Sequence, residues 1–437
     1  MRFVTSFTRG VRYPAPDVAR GFMLLLIAVA NVPVWIRSAV SPLSIGAVEG
    51  LSPADRGWVL IRAMLVDHRA YPLFALLFGF GLVTMINRRI ASGERAYLES
   101  VTGGSADQAA PALRAWAREQ ATVDARRLVR RRGWWMVLFG AVHGVFFYGD
   151  IIGTYGLVAV IFAGWLARKH RKRAIAVSVL ITLMAGLTML SMGWVVTSGT
   201  AQGMGVVGAE DPTAGSGLPW FLMNPGQWLM GTPGTVLLSM VVPSVFIGAR
   251  LADTDLLSHP ERHRGLLVAV AVGGLGLGAL GGLHIGLVHG GWADLSVADF
   301  MISEWSGLLA ACGWLALLAL YAGGPRPGGE LHGLRRLASA VGRRSMTAYL
   351  SQTILFGLIF AVIPWLLGAE LTVGEAAAAA IATGVWLATV VICLILGRRG
   401  DPGPFETLLR TAVARSARRR RIPAPPSMPL RSEPAAA

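Results

Sequence analysis

The sequence predicts an all-α fold: a polytopic transmembrane helical bundle of about ten spans with both termini on the cytoplasmic side. Three observations carry that expectation. Of 437 residues, 54% are hydrophobic and only 15% are charged, too little polar surface for a soluble globule of this length. The apolar residues gather into ten stretches, most of them long enough to cross ~30 Å of hydrocarbon at ~1.5 Å rise per helical residue. Positive charge then alternates from loop to loop. With the N-terminus inside, the outer segments hold four of the 40 Lys and Arg but 11 of the 24 Asp and Glu.

In chain order the expected spans are 18–37, 70–87, 133–148, 151–167, 174–196, 231–251, 265–288, 304–322, 345–367 and 375–396. The third and fourth are short. The first lacks a small-residue cleavage pattern and is long enough to act as an uncleaved anchor. Ahead of span two, Asp55, Arg62 and Arg69 recur every seven residues, which predicts an interfacial helix over 56–66 with its charges on one face, on the outer side. Segment 88–132 is a basic cytoplasmic loop with a turn-rich centre at Gly103, Gly104, Ser105 and Asp107. From Pro111 its pattern of Leu113, Trp116, Ala117, Ala121, Leu128 and Val129 among many Arg predicts an amphipathic helix running into span three.

Arg126 to Arg132, Arg168 to Arg173 and Arg418 to Arg421 all fall on one side, and the outer loops 197–230 and 289–304 carry no Lys or Arg. The formal +16 therefore follows topology and calls for no nucleic-acid partner; basic juxtamembrane runs suit anionic lipid. Many Arg and Ala with few Lys point to a GC-rich bacterial genome and so to the bacterial plasma membrane, as a multi-pass protein. Residues 323–328 form a Gly/Pro linker, and 401–437 is a Pro-, Arg- and Ala-rich cytoplasmic tail with little to bury, its end expected to be disordered. Two membrane halves are expected, 1–200 and 201–400. No internal repeat is evident, which leaves an inverted-repeat transporter without support. Gly140 with Gly144, Gly79 with Gly81, and the run Gly273, Gly274, Gly276 and Gly278 read as close helix packing. Cys312 and Cys393 lie inside spans and behave as small apolar groups.

An ionisable group inside a membrane costs ~2.5 to 3.5 kcal/mol on insertion scales, so the few within the spans are the first functional candidates. Asp17 and Arg20 share a face at the entrance of span one, as a structural pair or as a cation aimed at an anionic ligand. Asn31, close to three turns on, continues that face. His143, with Asp150 about two turns beyond, forms the leading catalytic pair: a carboxylate that raises imidazole basicity would let it take a proton from a hydroxyl or amine. A histidine that simply bonds a neighbouring helix fits the same pattern. Tyr148, Thr154 and Tyr155 would line that region. His68, between Asp67 and Arg69, is the reserve base. His284 and His289 stand five apart, a poor spacing for a metal pair, and no metal site is proposed. Trp220, Phe221, Trp228, Trp292 and Trp305 among Asp211, Asp294, Asp299 and Glu304 read as an aromatic belt or, alternatively, as a sugar platform.

Five runs resemble the YeiB-like bacterial membrane family, in the same order: 17–22 (DVARGF), 74–81 (FALLFGFG), 131–144 (RRGWWMVLFGAVHG), 149–155 (GDIIGTY) and 342–352 (GRRSMTAYLSQ), followed by 403–410 (GPFETLLR). The first half of that family is similar to heparan-α-glucosaminide N-acetyltransferase. That resemblance implies a cytoplasmic acyl-CoA donor and an amino or hydroxyl acceptor on an envelope glycan or lipid across the membrane. The Asp-x-x-Arg-Gly opening is similar to that of other membrane acyltransferases, in which an Arg and a His serve the reaction; this chain departs from them at Asn31, where several relatives carry a His. On that reading Arg20 holds the anionic donor and His143, oriented by Asp150, activates the acceptor or carries the acyl group. A membrane carrier or lipid flippase lined by Asp17, Arg20, Asn31 and His143 is the alternative, and a non-catalytic envelope scaffold a third.

Overall fold

The computed structural model describes residues 13–36, 40–41, 44–45, 50–103, 109–199, 220–325, 331–368, 371–418 and 420–426. It is helical almost throughout. The helices are α1 Pro14–Trp35, α2 Pro53–Leu65, α3 Ala70–Thr102, α4 Pro111–Phe146, α5 Ile152–Arg168, α6 Arg171–Thr197, α7 Trp220–Leu238 and α8 Val241–Leu251. They continue as α9 Arg264–His289, α10 Asp299–Ala322, α11 Gly333–Gly342, α12 Ser345–Gly357, α13 Ile363–Leu367, α14 Glu375–Arg398 and α15 Pro404–Arg415. Two-residue strands at Val40–Ser41 and Ser44–Ile45 pair antiparallel after α1.

Among the described residues, seven helical segments are long and apolar enough to cross a membrane, with an eighth if the bent pair α7 and α8 is one span. The expected sixth span is thus two pieces that meet at 58°. Pro243 explains why the chain restarts there: in the first turn of α8 its missing N–H costs nothing, whereas inside one long helix it would break a bond. The tenth-span count also depended on α5, which has only 17 residues, and on α4, whose apolar half is continuous with a charged half.

α3 and α4 run to 33 and 36 residues, about 50 Å each at ~1.5 Å per residue, so both outreach ~30 Å of hydrocarbon. Their polar halves form a helical hairpin, which the loop expected over 88–132 only half anticipated. Leu98, Leu113 and Ala117 fill its seam, and Tyr97 Oη donates to Asp124 (2.5 Å). Arg420 of the tail reaches back to Gln120 Oε1 (2.8 Å) and Asp124 (3.1 Å). The tail's first part is therefore structured as α15, with Leu409 and Val413 buried; its last residues, 427–437, lie outside the described ones.

The bundle has two chemically distinct ends. At one, Asp253 accepts from Lys169 (2.5 Å) and Asn87 (3.3 Å), Tyr13 packs edge-on against His259, and Arg344 Nε donates to the Asp401 carbonyl (2.8 Å). At the other, Asp55 accepts from Ala376 N (2.9 Å) and His284 meets Asp299 (2.8 Å). The basic segments gather at the first end. The two sequence halves interlock, because α1 packs against α10, α11, α12 and α14. Glycine makes several crossings possible: a Cβ on Gly79 would strike the Val245 backbone and one on Gly278 the Ala310 side chain, whereas Gly273 and Gly276 face open space.

Candidate functional site

His143 occupies the last inward-facing turn of α4 and is 6% exposed. The chain turns at residues 147–151 and enters α5, which returns Asp150 to the imidazole: Nδ1 lies 2.7 Å from Asp150 Oδ1. The carboxylate is held by the start of α5, accepting from Ile152 N (3.1 Å) and Gly153 N (2.6 Å), where the helix dipole favours negative charge. Trp228 of α7 adds a fourth donor at 3.3 Å. A carboxylate can only accept, so Nδ1 carries the hydrogen, and Nε2 lies 2.9 Å from Thr353 Oγ1 of α12, from which the Nδ1–H tautomer accepts. Glycine lets these helices close on one another. A Cβ on Gly140 would overlap Asp150 and the Gly153 backbone, and one on Gly144 would enter the Trp228 indole.

Arg20 lies at the basic end of α1, its Nη1 3.7 Å from Asp17 and its Nη2 3.3 Å from the Leu77 carbonyl. Gly81 leaves room for the guanidinium. Arg132 and Arg410 share this neighbourhood: burial lowers the pKa of the Arg132 guanidinium, and the positive charges of Arg410 and Arg20 lower it further against Glu406. Glu406 is already committed to Met346 N (2.8 Å), Thr347 N (3.1 Å) and the Thr347 hydroxyl. Between the two ends α12 places Thr347, Gln352 and Thr353 in sequence, with Gln352 Nε2 on the Leu24 carbonyl at 3.2 Å. From Thr347 to Thr353 the helix rises about 9 Å.

The other expected residues divide. Tyr155 is fully buried, stacks on Phe74 and Phe78, and donates to the Tyr71 carbonyl (3.1 Å). Asn31 is half-buried on α1 and makes no hydrogen bond to the dyad. Tyr148, expected beside His143, is 44% exposed and stacks on Phe147 instead, because the turn after α4 carries its side chain outward. Asp211 lies outside the described residues, and of the Trp220 and Phe221 side chains nothing is described.

His68, the reserve base, belongs to a second polar cluster. It sits at φ 57° in the turn from α2 to α3, with Nδ1 2.5 Å from Glu304 Oε2. Glu304 also binds the Tyr71 hydroxyl and accepts from Met240 N (3.1 Å), the backbone amide at the break between α7 and α8. Nearby Arg62, expected on an interfacial face, is wholly buried between Asp67 (3.0 Å) and Glu375 (2.5 Å). Arg69 donates to the Asp67 carbonyl, the Gly278 carbonyl (2.7 Å) and Ser303 (3.1 Å). Sequence reasoning missed Thr353, Tyr71 and Glu375, and assigned Glu304 and Trp228 to a surface belt. Pro243, the second proline of the sixth apolar run, was a local signal for the break, although Pro233 in the same run sits inside a continuous helix.

Residues 251–416 match the model of a family described as a protein of unknown function (DUF418). That stretch runs from the end of α8 through α15 and includes Glu304, Thr353, Glu375 and Glu406. The match supports the YeiB-like resemblance, while the likeness of the first half to heparan-α-glucosaminide N-acetyltransferase rests on the quoted motifs alone. No curated protein and no solved structure matches the chain.

Proposed function

We propose that this protein is a transmembrane acyltransferase of the bacterial plasma membrane, moving an acyl group from cytoplasmic acyl-CoA to an amino or hydroxyl group of an envelope glycan or lipid. The observation that carries the reading is the continuous chain Asp150, His143, Thr353: a carboxylate fixes one ring nitrogen and leaves the other facing a hydroxyl, the arrangement a general base needs. An acceptor hydroxyl or amine takes the place that Thr353 now holds. His143 Nε2 receives its proton while the acceptor atom attacks the thioester carbonyl. The C–S bond breaks, and the departing CoA thiolate takes the proton back from the imidazolium. Arg20, Arg132 and Arg410 supply positive charge for the donor's phosphates. Asp17 positions Arg20; Tyr155 and Asn31 line the route on this reading.

The same proposal sets ten crossings with both termini inside: the seven long segments, the bent pair, α5 and the apolar half of α4 make up that number. Because His143 is almost fully covered, α4 and α12 must part to admit substrate. The test uses purified full-length protein with acyl-CoA and envelope glycolipid, following thiol release. His143→Ala, checked for an unchanged melting profile, loses at least a hundredfold in rate. The reading is abandoned if the protein neither binds nor cleaves acyl-CoA, or if the variant turns over normally.

A second reading is favoured by the break between α7 and α8. Discontinuous helices with half-helix ends in the membrane are a recurring device of carriers, and Glu304 with His68 at that break could move with a transported solute. Transport into proteoliposomes with no acyl donor present would select it.

A further inference from the structure

A groove on the outside of the bundle runs between α4 and α15, away from both polar clusters. One wall is a single stripe of α4: Arg131, Trp134, Trp135, Leu138, Phe139 and Val142, spaced by three and four residues. The facing wall comes from α15 with the same spacing, Leu408, Thr411, Ala412 and Arg415. Trp135 Nε1 donates to Ser416 Oγ at 2.9 Å and ties the walls together at the charged end. The larger part of the groove encloses about 590 Å³.

Its chemistry is graded along its length. Arg131 lines one end together with Ser416, whose chain neighbour Arg415 lines the adjoining part; two tryptophans follow, and beyond them the lining is largely aliphatic and aromatic. From Arg131 to Val142 the helix rises about 16 Å, close to half of the ~30 Å hydrocarbon thickness. That is the depth of one leaflet. Trp134, Leu138 and Val142 are each more than half exposed, a stripe that faces lipid rather than protein. The Arg131 Nε–H is buried and has no hydrogen-bond partner among the described residues, a donor left open at the charged end of an apolar groove.

We infer that this groove is a binding site for one anionic phospholipid of the leaflet at the basic end, its phosphate between Arg131 and Arg415 and an acyl chain along Leu138, Phe139 and Val142. Tryptophans at headgroup depth suit the interface where they stand, and paired guanidinium groups suit phosphate oxygens. Neither clustered charge nor apolar surface alone makes such a site. Their order along one leaflet's depth does.

Delipidated full-length protein is titrated in detergent with phosphatidylglycerol or with phosphatidylcholine of the same chains, and bound lipid is counted by native mass spectrometry. The wild type prefers the anionic lipid by about tenfold. Arg131→Gln with Arg415→Gln abolishes the preference, whereas Lys172→Gln, on an exposed turn of α6, retains it. Ala412→Phe, which fills the groove and keeps both charges, weakens both lipids. Melting profiles verify that each variant is folded, and a headgroup variant that fails to fold is replaced by the corresponding single Lys substitution, which retains charge and reduces the preference. The inference is overturned if the double variant keeps the preference, if Lys172→Gln loses it equally, or if inorganic phosphate competes as well as the lipid does.

Discussion

Asp150→Asn tests the dyad's geometry directly. In the native site each carboxylate oxygen accepts two N–H donors: Oδ1 from His143 and Ile152 N, Oδ2 from Gly153 N and Trp228. An asparagine amide keeps one acceptor oxygen and turns the other into an NH2, so with the native His143 tautomer two buried donors face a donor whichever way it is flipped, and a tautomer change can relieve one of them. Each orphaned buried group costs roughly 1 to 3 kcal/mol, which gives about 2 to 6 kcal/mol for the variant while the native tautomer is kept. Thr353→Val is the internal scale. It orphans only the His143 Nε2 and should cost about 1 to 3 kcal/mol. Differential scanning fluorimetry in detergent reads the order: wild type above Thr353→Val, and Thr353→Val above Asp150→Asn. If Asp150→Asn melts with the wild type, or above Thr353→Val, the carboxylate is not held as described. On the acyltransferase reading its turnover also falls further than its stability, because the His143 tautomer is no longer set.

Arg62→Met removes the cation shared by Asp67 and Glu375 and should cost about 3 to 5 kcal/mol, more than Glu375→Gln, which leaves the Asp67 pair; comparative melting with the triple change Arg62→Met, Asp67→Asn and Glu375→Gln should recover most of the loss. Gly140→Ala should destabilise by about 1 to 3 kcal/mol through overlap with Asp150 and Gly153, whereas Gly276→Ala, with open space around it, should melt like the wild type. At the basic end, burial raises the pKa of Asp255, but the hydrogen bond and charge of His263 (2.8 Å) outweigh it and leave the carboxyl below its ordinary 3.8. A depressed folded pKa contributes stability that is present above the unfolded value and lost as pH falls through the folded one, so the melting difference between wild type and His263→Ala should shrink below about pH 4.

How far the molecule could be read from its residues depended on the separation of the partners. The helices themselves, the basic hairpin's second arm and the His143–Asp150 pair were legible, because hydropathy windows and a seven-residue spacing across one turn are local properties. Thr353 stands 210 residues from His143, and nothing in either neighbourhood names the other. Arg62 shows a different limit. Its spacing with Asp55 and Arg69 defines a charged face, but a face turned to water and a face turned to a buried carboxylate on α14 have the same periodicity. Glu304 sat at the edge of an expected span, where a carboxylate ordinarily meets solvent, and only the fold brings Met240 N and His68 onto it. The Gly run shows the converse: four glycines with one pattern divide into Gly274 and Gly278, pressed against α10, and Gly273 and Gly276, where an added Cβ would meet no other described element within 4 Å.

The two polar clusters are not independent features of the bundle. A break inside a membrane leaves backbone amides without their i−4 partners, and an unsatisfied N–H in hydrocarbon is costly enough to exclude most such breaks. Here the Met240 amide is taken by Glu304, whose charge is in turn met by His68 and the Tyr71 hydroxyl. The bend is therefore stable only while those groups stay together. From that bend α7 carries Trp228 to the Asp150 carboxylate, and Tyr155, one turn into α5, bonds the Tyr71 carbonyl. A movement of the broken helix consequently pulls on Trp228, one of the four donors to the dyad's carboxylate, and on Tyr71, to whose carbonyl α5 is tied. On the acyltransferase reading, the covered base has to be exposed, and the parting of α4 from α12 would be coupled to the broken helix, because α7 touches the dyad's carboxylate through Trp228.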